Sequence, residues 1–167
     1  MSSIKIIAKQ FALHNRLFNN VLEGIADTNG NKRVTDEVNH LQWIAGHLTN
    51  SRYNFAPMLG IKEIFPYRDL YTDETLPPPS NRPISESIKY PLLSETLKYW
   101  NTFAPAFVEA VSNLSDEQIA SEFPISTPIG DKTMLGFFGF LASHESYHIG
   151  QMSLIRKYLG LDAMSYK

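Results

Sequence analysis

The chain contains no cysteine among its 167 residues, which excludes disulfide bonds and catalysis by a thiol of the protein itself. Any bound metal must therefore be held by His, Asp or Glu, and the chain has only five His. It also lacks an uncharged apolar run of about 18 residues, so no segment is expected to span a membrane. The N-terminal segment lacks the apolar core and cleavage site of a signal peptide, and we therefore expect a soluble cytoplasmic protein.

The charge balance is close to neutral, with a formal net charge of −2. No broad positive field is available to hold nucleic acid or an anionic membrane, so neither is an expected partner. Hydrophobic residues make up 43% of the chain and charged residues 19%, which is typical of an ordinary globular protein. This length and composition predict a single domain over residues 1–167.

Helical periodicity predicts four long helices joined by connections of very different length. They are expected over residues 3–26, 35–56, 91–113 and 133–160. Ser3 is the expected N-cap of the first helix, and Pro105 is expected to kink the third. No pair of strands is indicated, so we predict an all-α chain that forms a four-helix bundle.

The longest connection lies between the second and third long helices and covers residues 61–83. It is rich in proline, and the Pro triplet at 77–79 favours an extended path. We expect an ordered crossover along the bundle, with Phe65, Tyr67 and Tyr71 against the helices; a mobile lid is the alternative. A short helical turn with a capping box at Ser115 is expected before the fourth long helix.

The segment HESYH at 144–148 places two histidines four residues apart on the fourth long helix. His144 and His148 therefore lie about 40° apart and one turn along the axis, so both imidazoles can reach one metal ion. Phe137, Leu141 and Ile155 share their face, which indicates that the pair points into the core. Unpaired imidazole nitrogens are costly to bury there, and this cost favours a bound metal.

The same letters spell HExxH, the motif of zinc proteases. The large classes of these enzymes take a third ligand from a His six residues on, or from a Glu at least about 20 residues downstream. Position 154 is Leu154, and the 19 residues after His148 contain no Glu. A zinc protease is therefore a disfavoured interpretation.

The second long helix supplies a better third ligand. His47 lies near its middle, and in an up-and-down bundle an inward residue there can meet the inward pair on the fourth helix. We expect a polar pocket beside the three histidines, whose predicted lining is Trp43, Ser51, Asn54 and Gln151.

Two other histidines are weaker candidates as ligands. His40 lies seven residues before His47, or about 10 Å along the helix, which is too far for both to bind one ion. It is expected to face solvent near the helix start. His14, on the apolar stripe of the first helix, is expected to be a core histidine with one hydrogen-bonded nitrogen.

Glu145 is a candidate general base, because it lies between the two histidines at the edge of the inward face. The alternative is structural: Glu145 could pair with a charge on a neighbouring helix, such as Arg52 or Arg156. Both roles stay open at the level of the sequence.

The chain resembles the DinB-like (DinB/YfiT-type) superfamily of metal-binding proteins along nearly its whole length. The resemblance is most specific at WIAGHL (43–48), GDKTMLGFFGFLASHESYHIGQMSLIRKYLG (130–160) and GLDAM (160–164). It implies a four-helix bundle with a long crossover between the second and third helices. It also implies a metal triad of His47, His144 and His148 that holds a divalent ion, most often nickel or zinc.

The resemblance does not imply a single reaction. Some members look like S-transferases or isomerases that use low-molecular-weight thiols, and others look like metal-dependent hydrolases. We therefore expect a metal-dependent enzyme acting on a small molecule, with a non-catalytic metal-binding or stress-response protein as the alternative. A homodimer is also implied, and Phe138 and Ile149 could form its interface or contact the crossover.

Overall fold

A computed structural model describes residues 2–75 and 80–166, and this part of the chain is helical without a named strand. Its four long helices are α1 (Ser3–Leu22), α2 (Leu41–Phe55), α3 (Leu93–Ser112) and α5 (Met134–Tyr158), with the short α4 (Asp116–Ala120) before the last. The predicted all-α four-helix bundle is confirmed. None of the described helices is both long enough and apolar enough to cross a bilayer.

The order of the helices around the bundle differs from a simple up-and-down arrangement. Both α1 and α2 make their main helix contacts with α3 and α5. This places α1 and α2 on one diagonal, and it makes α2 a direct neighbour of α5. The long connection between α2 and α3 allows this order, because it does not force consecutive helices to lie side by side.

The first helix is shorter than predicted and begins one residue earlier than expected from the capping pattern. Its N-cap is Ser2 rather than Ser3, and it ends at Leu22 instead of position 26. Gly24 follows with a φ of 75°, a left-handed conformation that stops the helix and that glycine adopts without steric cost.

The second helix begins at Leu41, so the predicted start near position 35 is wrong. The backbone N–H of Val38 donates to the carbonyl of Thr35, which forms a separate turn. His40 then acts as the N-cap: its Nδ1 accepts a 3.1 Å hydrogen bond from the backbone N–H of Trp43. His40 is also buried, contrary to the expectation that it faces solvent. A histidine cap leaves no Ser, Thr, Asn or Asp signal in the sequence.

The crossover after α2 starts with the irregular turn Ala56–Leu59, which Gly60 ends at a φ of 73°. Phe65 and Tyr71 are buried and Tyr67 is half-buried against the helices. Tyr71 lies so close to α2 that a Cβ atom added to Gly46 would be 1.9 Å from its hydroxyl oxygen. The described crossover therefore packs on the bundle, while the Pro triplet at 77–79 lies outside the described residues.

The third helix begins at Leu93 rather than position 91. Asp27, from the turn after α1, accepts hydrogen bonds from the backbone N–H and hydroxyl of Ser94. This cap comes from a segment distant in sequence, so the local sequence pattern could not predict where the helix begins. Pro105 lies inside α3, and the predicted capping box of Ser115 with Gln118 starts α4.

The core between the helices is strongly aromatic. Phe11 of α1 makes edge contacts with Phe107 of α3 and Phe138 of α5, and Phe18 stacks on Trp100 at 4.0 Å. Phe138 and Ile149 are both almost fully buried inside the subunit. These two side chains therefore offer no dimer surface; homodimerisation stays a prediction.

The capping role of His40 leads to a prediction about acid stability. Burial, together with the Arg33 charge, lowers the pKa of His40 to about 4. An unfolded chain protonates this histidine near pH 6.5, so between pH 6.5 and 4 the unfolded state binds more protons and the folded state loses stability as the pH falls. His40→Asn keeps a capping side chain that does not titrate. We therefore expect its free energy of unfolding to fall by about 1–2 kcal/mol less than that of the wild type when the pH is lowered from 7 to 5.

Urea denaturation of both proteins at the two pH values measures this difference. The other histidines are common to both proteins, so their contributions cancel in the comparison. An identical pH dependence in the wild type and His40→Asn would show that His40 does not titrate as its burial requires.

Candidate metal centre

Three histidines from two adjacent helices converge near one end of a cavity in the bundle. His47 comes from α2, and His144 and His148 come from consecutive turns of α5. One ring nitrogen of each lies within 4.8 Å of the other two. His47 and His148 are buried and His144 is half-buried, so the cluster is largely screened from solvent.

The orientation of His148 is fixed by Gln151, one turn further along α5. The Nδ1–H of His148 donates to the Gln151 side-chain oxygen at 2.7 Å, and the Gln151 amide donates to the Tyr147 hydroxyl at 3.0 Å. This bond places the proton on Nδ1 and leaves the Nε2 lone pair of His148 free to bind a cation.

Burial makes all three imidazoles neutral near pH 7. It lowers the pKa of His144 to about 4, with a further contribution from the neighbouring His148. Burial also lowers the pKa of His148, and it lowers that of His47 well below the usual histidine value. Neutral imidazole is the form that binds metal ions, so the site needs no deprotonation before binding.

The three residues fit a divalent ion. The Nε2 atoms of His47 and His144 face each other at 3.0 Å. This separation is close to the distance of about 3.3 Å between two nitrogens that each lie about 2.0–2.1 Å from one tetrahedral zinc ion. The Nδ1 atoms of His47 and His144 are buried without a hydrogen-bond partner among the described residues, a cost that a strong bond at Nε2 would offset.

Two of the predicted pocket residues, Trp43 and Ser51, contact His47 itself. The Trp43 ring stacks on the His47 ring at 4.8 Å with an interplanar angle of 6°. The Ser51 hydroxyl donates to the His47 carbonyl at 2.8 Å. Trp43 therefore acts on the ring of His47, and Ser51 on its backbone.

Glu145 lies on another side of α5, although it follows His144 directly in sequence. Its carboxylate accepts two hydrogen bonds from Arg52, at 2.6 and 2.9 Å, and one from His14 Nδ1 at 2.9 Å. The structural pairing that the sequence left open is therefore present, with Arg52 as the partner. Arg156 instead donates to the backbone carbonyl of Asp162.

The charges of this buried group compensate one another. Arg52 and Glu145 are both fully buried. Burial by itself would raise the pKa of Glu145, but the Arg52 charge and the bonds from Arg52 and His14 outweigh it and hold this pKa below its usual value. His14 uses both ring nitrogens, since the Ser146 hydroxyl lies 2.9 Å from its Nε2; only one hydrogen-bonded nitrogen was predicted.

A cavity of about 730 Å³ extends from His144 to the surface. Ser51 and Asn54 line it as predicted, whereas Trp43 and Gln151 do not and instead contact the histidine rings. Much of the remaining wall comes from the crossover and from the loop at 125–127. The sequence did not indicate these wall residues, because irregular segments have no periodicity that shows which side chains point inward.

The buried pair leads to a stability prediction. Glu145→Gln leaves the Arg52 guanidinium buried without a counter-charge, and we expect it to lower the free energy of unfolding by about 3–5 kcal/mol. Glu86→Gln is the matched control, because Glu86 pairs with Arg33 but is itself exposed, and we expect this substitution to cost less than about 1 kcal/mol.

Denaturant titration of the metal-free proteins measures both changes. The double variant Arg52→Met/Glu145→Leu is expected to lose less than the sum of its single variants, since it leaves no charge unpaired. Additive losses would contradict the pairing of Arg52 with Glu145.

The chain is similar in sequence to one known family and in fold to a solved structure. The profile of the DinB superfamily matches residues 10–152. No curated protein matches the sequence. Among solved structures, the fold is similar to that of YfiT from Bacillus subtilis, a probable metal-dependent hydrolase with an unusual four-helix bundle topology, with a TM-score of 0.62. The similarity covers 93% of this chain and 89% of that chain at 16% sequence identity. Because the family profile covers most of its length, the chain belongs to the DinB superfamily.

Proposed function

We propose that this protein is a metal-dependent enzyme that acts on a small molecule, with a divalent ion held by His47, His144 and His148. The observation that carries the proposal is the open cavity that ends at His144, one of the three clustered histidines. A site that served only to stabilise the bundle would need no access from solvent. The similarity in fold to YfiT, described as a probable metal-dependent hydrolase, further supports hydrolysis.

The ligand set determines what the site can supply. Three neutral imidazoles leave the double charge of a zinc or nickel ion uncompensated, so the ion would act as a strong Lewis acid and would favour the deprotonated form of a bound water or thiol. His47, His144 and His148 would hold it. Gln151 would keep the His148 lone pair directed at it, and Trp43 would hold the His47 ring in place.

We propose that Glu145 is a positioning residue rather than the general base. Its two oxygens are occupied by Arg52 and His14, and the carboxylate is fully buried. A general base must reach the proton that it removes within about 3 Å. The salt bridge instead fixes the rotation of α5 that directs His144 and His148 toward His47.

Two reactions fit the site, namely hydrolysis of an amide or ester and transfer of a low-molecular-weight thiol to an acceptor. Hydrolysis is the better supported because of the neighbour in fold. The alternative of a different class is a metal-binding stress-response protein without turnover, in which the ion joins α2 to α5 and thereby stabilises the bundle.

Metal binding is tested first. We expect the chelator-treated protein to take up about one Zn²⁺ or Ni²⁺ per chain, measured by calorimetry and elemental analysis. Gln151→Leu should weaken binding by about 10- to 100-fold through loss of its bond to His148, and His47→Ala should weaken it further. His40→Asn is the control with a histidine replaced outside the cluster. Equal binding by His47→Ala and the wild type would overturn the proposed centre.

Turnover separates the enzyme from the stabilising metal site. We expect the Zn²⁺- or Ni²⁺-loaded protein to cleave members of an ester and amide panel, or to join a thiol to an electrophile, and His47→Ala to lose at least about 100-fold in kcat/KM. His40→Asn should retain the activity. A metal-induced rise in Tm without turnover on either panel would favour the stabilising role.

A further inference from the structure

The cavity beside the metal centre has walls of two different kinds. The inner, more buried part of its lining is aromatic: Phe65 of the crossover and Phe137 of α5 are buried, and Phe55 of α2 and Phe140 of α5 are half-buried. Phe55 packs on Phe137 at a ring distance of 4.4 Å, so the inner wall is a fixed aromatic surface rather than a set of loose side chains. The volume of about 730 Å³ falls in the range of small-molecule sites.

The outer, more exposed part of the lining carries carboxylates beside the exposed side chains of Met58 and Ile64. Among the described residues of the lining, three carboxylates, those of Glu63, Asp73 and Glu74, stand against one guanidinium, that of Arg68. Arg68 is already engaged, since it pairs with Glu74 and donates to the Asn54 side-chain oxygen at 3.1 Å. Glu63 remains close enough to Tyr53 to add to the effect of burial that raises the Tyr53 pKa to about 12. The formal charge of this lining is therefore −2, with His144 neutral.

From this arrangement we infer that the cavity takes an apolar, aromatic-sized molecule whose outer end is an amine or an uncharged group, and that it disfavours an anionic one. The inference rests on the proposed function for the reacting end of the molecule, which would lie at His144. The aromatic wall contributes the affinity through apolar contact. The carboxylates at the opening then lower the affinity for a ligand whose outer end is anionic, because like charges repel at close range.

Three probes with one apolar body test the ranking: 4-phenylbutylamine, 4-phenylbutanamide and 4-phenylbutanoate. Their binding is measured by calorimetry to the chelator-treated and the Zn²⁺-loaded wild type. In the chelator-treated protein we expect the amine and the amide to bind at least about five-fold more tightly than the carboxylate. Any tighter binding of the carboxylate after Zn²⁺ loading reports direct contact with the ion, and it supports a cavity that opens onto the metal.

Two variants with matched controls locate the binding. Ser126→Trp adds a bulky side chain at the exposed rim of the cavity and should abolish binding of all three probes, whereas Ser121→Trp, on the same connection but outside the lining, should not. Glu63→Lys should remove the preference for the amine over the carboxylate. Glu117→Lys makes the same charge change on α4, away from the cavity, and should leave the preference intact.

The inference is overturned if the carboxylate binds the chelator-treated protein as tightly as the amine, if Ser126→Trp has no effect, or if no probe binds at millimolar concentration. Since this binding does not require the ion, its failure is distinguishable from failure of the proposed function. A protein that binds Zn²⁺ but none of the probes loses only the inference. A protein that binds the probes but no metal loses only the proposed centre.

Discussion

The buried ion pair between Arg52 and Glu145 is the constraint on which the rest of the site depends. Both charges are removed from water, and such a burial is tolerated only where the partners satisfy each other. The Arg52 guanidinium also lies 4.0 Å from the centre of the Trp100 ring, so α3 contributes to the same cluster. Arg52 follows His47 by five residues on α2, and Glu145 follows His144 directly on α5. The pair therefore joins the same two helices that carry the three clustered histidines.

Within one turn of α5, the histidines and Glu145 therefore contact different neighbours. The histidines face His47, and His144 also lines the cavity, while Glu145, about 100° further around the axis from His144, faces Arg52 and α1. The letters HExxH have a different meaning here from their meaning in zinc proteases, because the third histidine comes from an adjacent helix and the carboxylate is held by a guanidinium. The motif describes spacing along a helix, and the neighbouring helices decide what each of its residues does.

The crossover forms much of the wall of the cavity beside the three histidines. Tyr71 contacts α2 at Gly46, directly before His47, which fixes the crossover against the helix that carries this ligand. The carboxylates of Glu63 and Glu74 then lie at the mouth of the cavity, and Phe65 lies in its wall. The crossover and the helices together enclose a cavity that has aromatic side chains in its buried part and carboxylates at its opening. The three neutral imidazoles that could bind a cation lie beside it.

The sequence by itself determined the helical class, the four long segments and the inward direction of His144 and His148, because all of these follow from a period of 3.6 residues. It misjudged His40, whose capping role has no common sequence signal, and it left the role of Phe138 open, which the structure places in the core. Only the tertiary structure decided that Glu145 pairs with Arg52 and which crossover side chains line the cavity. Periodicity places a side chain on one face of its own helix, but the partner of that face depends on how helices distant in sequence are arranged around each other.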